Sequence, residues 1–429
     1  MYQVLASAAM LDLFPETARI EHGELTVGGV SSSDLARTFG TPLLVYCEQT
    51  LRARARAYRA AAPAARVLYS VKAFPNVEIV RVLADEGLGA EVSTLGELAY
   101  ARQAGVPGEE LVVDGNNKAD EELAAAAEAG ALLVVDAADD VERAAAAGVR
   151  RVLVRVTPGI DADTHWAIAT GHRGSKFGLP PEDAIDALRR CAEAGLDAEG
   201  VHVHVGSQLL DVGAARMTVD WLASFAAESR AELNWTPGIV DLGGGLGISY
   251  TPDDHELTVQ AFVSSLLGRV DRAWSSHGLP QPRVVLEPGR SLVGPAGLTL
   301  YRVGVVKRAG EHVTYVAVDG GMSDNPRPQL YGARLAALLA DRADEEPSGT
   351  YTVCGKHCES GDVLIERARL PEPRRGDLLA VPATGAYTLG MASNYNAVPR
   401  PAAVLVAGGQ ARLIRRRESV HDLLALEPS

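Results

Sequence analysis

The 429-residue chain carries 41 Lys+Arg against 55 Asp+Glu, a net charge of −14, and 47% hydrophobic residues. It is too long for one ordinary core and fits a barrel of about 250 residues plus a smaller second domain. The acidic balance, with no basic run to interrupt it, argues against a nucleic-acid or anionic-membrane partner.

The first stretch, MYQVLASAAMLDLF, has no basic n-region and meets Asp12 early, so it reads poorly as a signal peptide. No apolar run approaches the roughly 20 residues that span a bilayer. Cys47, Cys191, Cys354 and Cys358 are too scattered for a disulfide-stapled domain, which points to a reducing cytoplasm. Residues 1–40 hold isolated strand signals and turn glycines. Pro42–Glu48 predicts a strand, and Gln49–Ala62 an Arg- and Ala-rich helix.

From residue 66 one unit repeats. Short apolar runs, each followed by an Ala/Leu-rich helical stretch, end at Lys72, Ser93, Gly115, Asp136, Val156, Gly206, Gly245 and Gly289. Eight strands alternating with helices predict an α/β fold, a parallel sheet closed as a TIM-type (β/α)8 barrel. An open doubly wound sheet is the alternative, but its GxGxxG fingerprint is missing: read from Gly243, the last glycine falls on Ile248. Beyond Gly289, short alternating or apolar runs from Leu298–Lys307 to Ala411–Arg416 predict a β-rich barrel or sandwich domain. The N-terminal strands are expected to join it, because a closed barrel has no free edge. The domain reading is therefore 1–40, 41–290 and 291–429.

In such a barrel the site lies at the C-terminal ends of the strands. Lys72 ends the first, Arg66–Val71, where desolvation lowers an amine's pKa and readies it to hold an aldehyde as a Schiff base. Taken alone it is equally a lysine snorkelling from a strand edge. Glu91 lies on the second strand, with Glu97 one turn into the following helix. Arg155, His204 with Ser207, Gly243-Gly244-Gly245, and Glu287 to Arg290 end later strands. The three glycines bring backbone N–H groups close to a phosphate at a helix N-terminus, or simply make a tight turn with positive φ. A carboxylate at Glu287 suits a protonated pyridine nitrogen. His202 and His204 share a strand face, but no third ligand falls at metal spacing, and the Cys354–Cys358 pair lacks a second ligand pair, so no metal is expected.

Tyr69-Ser70-Val71-Lys72-Ala73 with Asn76 resembles the pyridoxal-phosphate lysine motif of the alanine-racemase-like barrel decarboxylases. Cys358-Glu359-Ser360-Gly361-Asp362 resembles the cysteine segment of their decarboxylase branch. Thr164-His165, Thr170-Gly171, Ser175 to Gly178, Asp319 to Asn325, Leu330-Tyr331-Gly332-Ala333, Tyr395-Asn396 and Arg400-Pro401 extend the likeness over nearly the whole chain, toward the diaminopimelate decarboxylase family.

The resemblance implies pyridoxal 5'-phosphate held on Lys72, with His204 packed against the pyridine face and Ser207 and Gly243, Gly244 and Gly245 at the phosphate. Further cofactor contacts are expected at Glu91, Arg155, Gly289, Arg290 and Tyr387. Glu287 stands where racemases of this fold are expected to carry arginine, which favours decarboxylation. For a small amino-acid substrate, meso-2,6-diaminopimelate, the resemblance implies that Arg290, Arg327 and Tyr331 grip the distal carboxylate and Glu359 the distal ammonium, with Tyr387 close by. Cys358 returns the proton, giving L-lysine and carbon dioxide. The cysteine segment and Tyr387 are expected to reach a partner's barrel in a homodimer. Pro326 and Pro328 beside Arg327, His357 before the cysteine, and Thr388-Leu389-Gly390 after Tyr387 depart from the family pattern and bear on fine specificity. A same-fold decarboxylase of another amino acid and a non-catalytic binder are the rival readings.

Overall fold

The computed structural model describes residues 10–160 and 174–428, so Thr164-His165 and Thr170-Gly171 lie outside the described residues. The chain divides into two compact units, one of Arg54–Gly247 with Glu256–Gly289, the other of Met1–Ala53 with Ile248–His255 and Arg290–Ser429.

The first unit is a closed, all-parallel barrel of eight strands: Arg66–Ser70, Gly89–Val92, Leu111–Val113, Leu132–Val135, Arg151–Arg155, Asp197–His202, Ile239–Asp241 and Arg283–Leu286. The last closes on the first, with Leu286 opposite Val67. The strands are short and dense in Val and Leu because helices cover the outside while side chains fill the inside. Leu68, Val112, Leu132, Val134, Leu153, Ile239 and Val285 form one of its buried clusters.

The first strand stops at Ser70, two residues before Lys72, which sits on a 3-10 turn, Val71–Ala73. The cause is Tyr69, whose hydroxyl donates to the Phe74 carbonyl at 3.0 Å and accepts from the Phe74 N–H at 3.1 Å, folding the chain back. Asn76 then caps the helix Val77–Asp85, its side chain accepting from the N–H groups of Glu78 and Ile79. Its place in the lysine motif is thus explained by helix capping.

The second unit is built on a nine-stranded sheet whose main path runs Val363–Leu370, Gly349–Cys354, Val313–Val318, Gly297–Ala309, Leu43–Cys47, Ala402–Ala407 and Gln410–Arg415. The strand Leu43–Cys47 therefore does not open the barrel domain, as the 41–290 reading has it. All five of its residues are buried, so it needs a neighbour on each edge, and it finds them in Gly297–Ala309 and Ala402–Ala407. The N-terminal strands form a small antiparallel sheet of their own, Arg19–Glu21, Glu24–Val27 and Val30–Ser31. They attach by packing, with Leu25 and Val27 in a cluster with Leu43, Val45, Leu298, Leu300, Val404 and Val406. A second cluster gathers Tyr250, Tyr301, Val303, Val316 and Leu379 on the far part of the long strand. Among the described residues no helix is long and apolar enough to cross a membrane.

Candidate active site

At the C-terminal end of the barrel strands, the amine of Lys72 lies 3.3 Å from Oε2 of Glu91. The lysine side chain is 42% exposed, so burial does not desolvate it as its place beside an apolar strand suggests; Glu91, by contrast, is fully buried. Glu91 also accepts from the hydroxyls of Ser70 and Ser93. One turn on, Glu97 accepts from the Ser93 N–H at 2.7 Å, and burial together with the Glu91 charge raises its carboxyl to about 7. Lys72 thus faces a fixed carboxylate held by two hydroxyls.

Three buried groups, His202, Asp241 and Glu287, meet at the ends of the strands Asp197–His202, Ile239–Asp241 and Arg283–Leu286, their ligand atoms within 4.8 Å of one another. Nε2 of His202 is 3.3 Å from Oε2 of Glu287. Burial alone would lower the imidazole, but the Glu287 carboxylate outweighs it and lifts His202 to about 9. Burial and the same carboxylate push Asp241 well above the usual range. Oδ1 of Asp241 accepts from the Gly243 N–H at 2.9 Å, tying the trio to the glycine turn. The expectation that no third metal-type ligand stands near the histidines is therefore corrected: Asp241 and Glu287 join His202, while His204 is not part of the group.

The turn itself is forced to be glycine. Gly243 and Gly245 have φ of +65° and +120°. A Cβ on Gly243 would lie 2.5 Å from Nδ1 of His204, and one on Gly244 2.5 Å from the Glu287 carbonyl oxygen. Two of the turn's N–H groups are already engaged, Gly243 by Asp241 and Gly244 by Nδ1 of His204 at 3.3 Å, so it offers an anion fewer donors than three glycines suggest. Because Nδ1 accepts that bond, the His204 ring is neutral, and burial with the charges of Lys72 and Arg155 holds it well below the ordinary imidazole range. Gly289 packs at 3.1 Å from Ala73 and Ser70 at the position of a would-be Cβ. Ser207 is partly buried, two residues before Leu209, whose N–H donates to the Gly245 carbonyl at 2.9 Å.

Arg155 is buried and paired with Asp114 at 2.7 Å and Asp136 at 3.4 Å, with its guanidinium 4.7 Å from the Phe177 ring centroid. Burial would raise Asp114, but Arg155 outweighs it and holds that carboxyl far below the usual range. The charge of Arg155 is thus committed to two acids.

In the second unit, Arg290 and Arg327 are 6% and 4% exposed. Arg327 opens the helix Arg327–Tyr331, with Pro326 as its N-cap. The flanking prolines fit there because first-turn N–H groups have no helical acceptor. Nε and Nη1 of Arg327 find no hydrogen-bond partner among the described residues, and burial draws its pKa below the ordinary value. Tyr387 lies against Arg290, ring centroid 4.8 Å from the guanidinium carbon. This contact is within one chain. Tyr331 is partly buried on the same short helix.

Cys358 and Glu359 stand exposed on the segment that follows Gly349–Cys354. Buried Asp362 shapes it, accepting from the Met322 N–H at 2.7 Å and the His357 N–H at 2.9 Å. The N–H of Cys358 donates to Asn396 at 3.0 Å. His357 is buried, its Nε2 accepting from the Ser323 N–H, so the departure from the family pattern is filled by packing.

These residues fit pyridoxal phosphate. Glu287 offers Oε1, which accepts from no donor among the described residues, to a ring N–H, and the glycine turn excludes any side chain from the place a phosphate needs. A sequence profile described as "Pyridoxal-dependent decarboxylase, pyridoxal binding domain" matches residues 48–294. A diaminopimelate decarboxylase of Actinosynnema pretiosum subsp. auranticum is 47% identical over 97% of this chain and 95% of its own. That of Bacillus subtilis is 40% identical over 95% of this chain and 96% of its own. The chain belongs to the diaminopimelate decarboxylase family. A crystal structure of the diaminopimelate decarboxylase from M. jannaschii in complex with L-lysine aligns with a TM-score of 0.89 at 32% identity, covering 96% of this chain and 98% of that one.

As a family member, the chain uses pyridoxal phosphate on a (β/α)8 barrel and is a carboxy-lyase. Asp241 and Tyr250 are the residues that motif reading overlooks. Asp241 carries a weak signal, a carboxylate directly before the glycine turn; Tyr250 carries none.

Proposed function

We propose that this chain decarboxylates meso-2,6-diaminopimelate, releasing carbon dioxide and L-lysine, as the last step in making lysine. The observation that supports this substrate is the buried Arg290–Arg327 pair: Arg327 keeps two donors without an acceptor among the described residues, which a second carboxylate on the substrate would fill. When bound, pyridoxal phosphate supplies the electron sink that takes up the pair left by departing carbon dioxide.

The remaining roles belong to the chain. Lys72 supplies the amine for the cofactor's aldehyde, with Glu91 fixing its position. Glu287, paired with buried His202, holds the proton on the ring nitrogen. His204, neutral, packs against the ring, and Gly243, Gly244, Gly245 and Ser207 flank the phosphate. Gly289 gives the chain room beside Ser70 and Ala73. Arg155 orients this wall through its acid partners Asp114 and Asp136.

Arg290, Arg327 and Tyr331 take the distal carboxylate and Tyr387 packs beside them. Cys358 returns a proton to the carbon that loses carbon dioxide, and Glu359 takes the distal ammonium; exposed on their own chain, both suit delivery to a partner subunit in a cytoplasmic homodimer.

The test is carbon dioxide release by purified, cofactor-loaded protein on meso-diaminopimelate, with lysine, ornithine and arginine alongside. Substrates without a distal carboxylate leave buried guanidiniums unpaired, which costs on the order of 10⁴-fold in turnover. Turnover of one of them at a comparable rate would overturn the substrate assignment. Absence of all turnover in protein with normal cofactor absorbance would favour the non-catalytic binder.

A further inference from the structure

Two like charges, Arg290 and Arg327, are buried close together, and one side chain touches both. Nη1 of Arg290 donates to the Tyr250 hydroxyl at 2.6 Å, while the guanidinium carbon of Arg327 lies 4.1 Å from the centroid of the Tyr250 ring. Tyr250 is 5% exposed and anchored from behind, as part of the cluster with Ile248, Tyr301, Val303 and Val316. Its backbone is pinned as well, because the N–H groups of Tyr250 and Thr251 both donate to Oδ2 of Asp254, at 2.9 and 2.8 Å.

The two contacts leave the cations in different states. A ring face attracts a cation through its quadrupole and consumes no N–H donor. Arg327 lies over that face, and its Nε and Nη1 stay without an acceptor among the described residues. Arg290 is held by a directional bond that uses one donor and aims the rest of its fork. The negative ring face and the hydroxyl oxygen of Tyr250 together offset the repulsion between the two guanidiniums. Such a pair is poised for a carboxylate before one arrives, and the poise depends on Tyr250.

We infer that Tyr250 is the positioning residue that sets the requirement for a carboxylate at the non-reacting end of the substrate, by presenting Arg327 through its ring face and Arg290 through its hydroxyl. The inference rests on the carboxylate grip assigned above. Tyr250→Phe removes the acceptor for Arg290 and keeps the ring in the core, so the fold is preserved, whereas Tyr250→Leu removes both contacts.

L-lysine and cadaverine differ only by the carboxylate that the grip would read, so calorimetric titration of the holoenzyme with each separates the roles. In Tyr250→Phe, affinity for L-lysine is expected to fall about tenfold, the worth of one charge-assisted hydrogen bond, while that for cadaverine stays within about twofold. Tyr250→Leu is expected to lose a further factor of about ten for L-lysine alone. With meso-diaminopimelate, KM rises in step and kcat changes little, as for lost uniform binding. Equal weakening of both ligands would overturn the proposal in favour of a merely structural tyrosine, and unchanged L-lysine affinity in Tyr250→Phe would overturn it outright. If the unmutated protein bound cadaverine as tightly as L-lysine, the carboxylate grip itself would fall, and the role of Tyr250 with it.

Discussion

Nε2 of His202 lies 3.3 Å from Oε2 of Glu287, and both side chains are buried. The Glu287 carboxylate lifts the His202 imidazole to about 9 and, with burial, pushes Asp241 well above the usual carboxyl range, so the three groups form one charge-coupled trio at the barrel end. Oδ1 of Asp241 accepts from Gly243, so the same trio also sets the glycine turn.

A pH dependence of stability follows from this pair. His202 is raised to about 9 from an ordinary value near 6.5. Its contribution is complete below the unfolded pKa and is lost as pH rises through the folded one. Unfolding free energy is expected to drop by on the order of 3 kcal/mol between pH 7 and 9.5, and the drop to be smaller in His202→Gln, where only the raised Asp241 carboxyl of the trio still lowers stability with pH. Glu97, raised to about 7, costs stability in the lower window between its ordinary carboxyl pKa and 7, so it does not interfere. Urea titrations at several pH values measure the difference, and equal slopes in both proteins would remove the imidazolium from the account.

Lys72→Ala tests the attachment. Without the amine, cofactor absorbance should not survive gel filtration, while the fold remains, since the Lys72 side chain is largely outside the core. A variant that keeps its colour through the column would show that another group holds the cofactor.

Much of this was legible in the chain, and the exceptions share a cause. Most barrel strands announce themselves because each is a buried, Val- or Leu-rich run that needs no partner to be recognised. Leu43–Cys47 announces itself equally well, but a run does not say which sheet receives it, and the second unit claims it. Lys72 could be placed at a strand end, yet not its exposure, because Tyr69 turning back onto Phe74 ends the strand early. Tyr250 lies 40 residues from Arg290 in a segment without periodicity, and only the fold brings its hydroxyl to that guanidinium.

Gly244→Ala tests the turn by close approach rather than by backbone angle. The added methyl would meet the Glu287 carbonyl oxygen at 2.5 Å, and backbone must move to admit it. A loss of about 1–3 kcal/mol in stability is expected from this overpacking. Because the displaced carbonyl belongs to Glu287, pyridoxal phosphate affinity of the apoprotein should weaken by on the order of tenfold, read by fluorescence titration. Lowered stability with undiminished affinity would leave the turn a structural feature only.

Asp362 offers a test of the cysteine segment that leaves Cys358 untouched. Its carboxylate accepts from two backbone N–H groups, Met322 at 2.7 Å and His357 at 2.9 Å, and so clamps the residue before Cys358 to the loop at Gly321-Met322. Asp362→Ala leaves both donors without an acceptor in a buried place, at a cost of about 2–5 kcal/mol. Asp362→Asn keeps one amide oxygen and the volume, and should retain more than half of that stability while replacing one acceptor by a donor that faces another N–H. If Cys358 delivers the proton, the loosened segment lowers kcat in Asp362→Asn, with the KM for meso-diaminopimelate nearly unchanged, because the grip at Arg290 and Arg327 is intact. Steady-state carbon dioxide release beside urea unfolding distinguishes the effects, and a folded Asp362→Asn enzyme with full kcat would separate the geometry of this segment from the proton transfer.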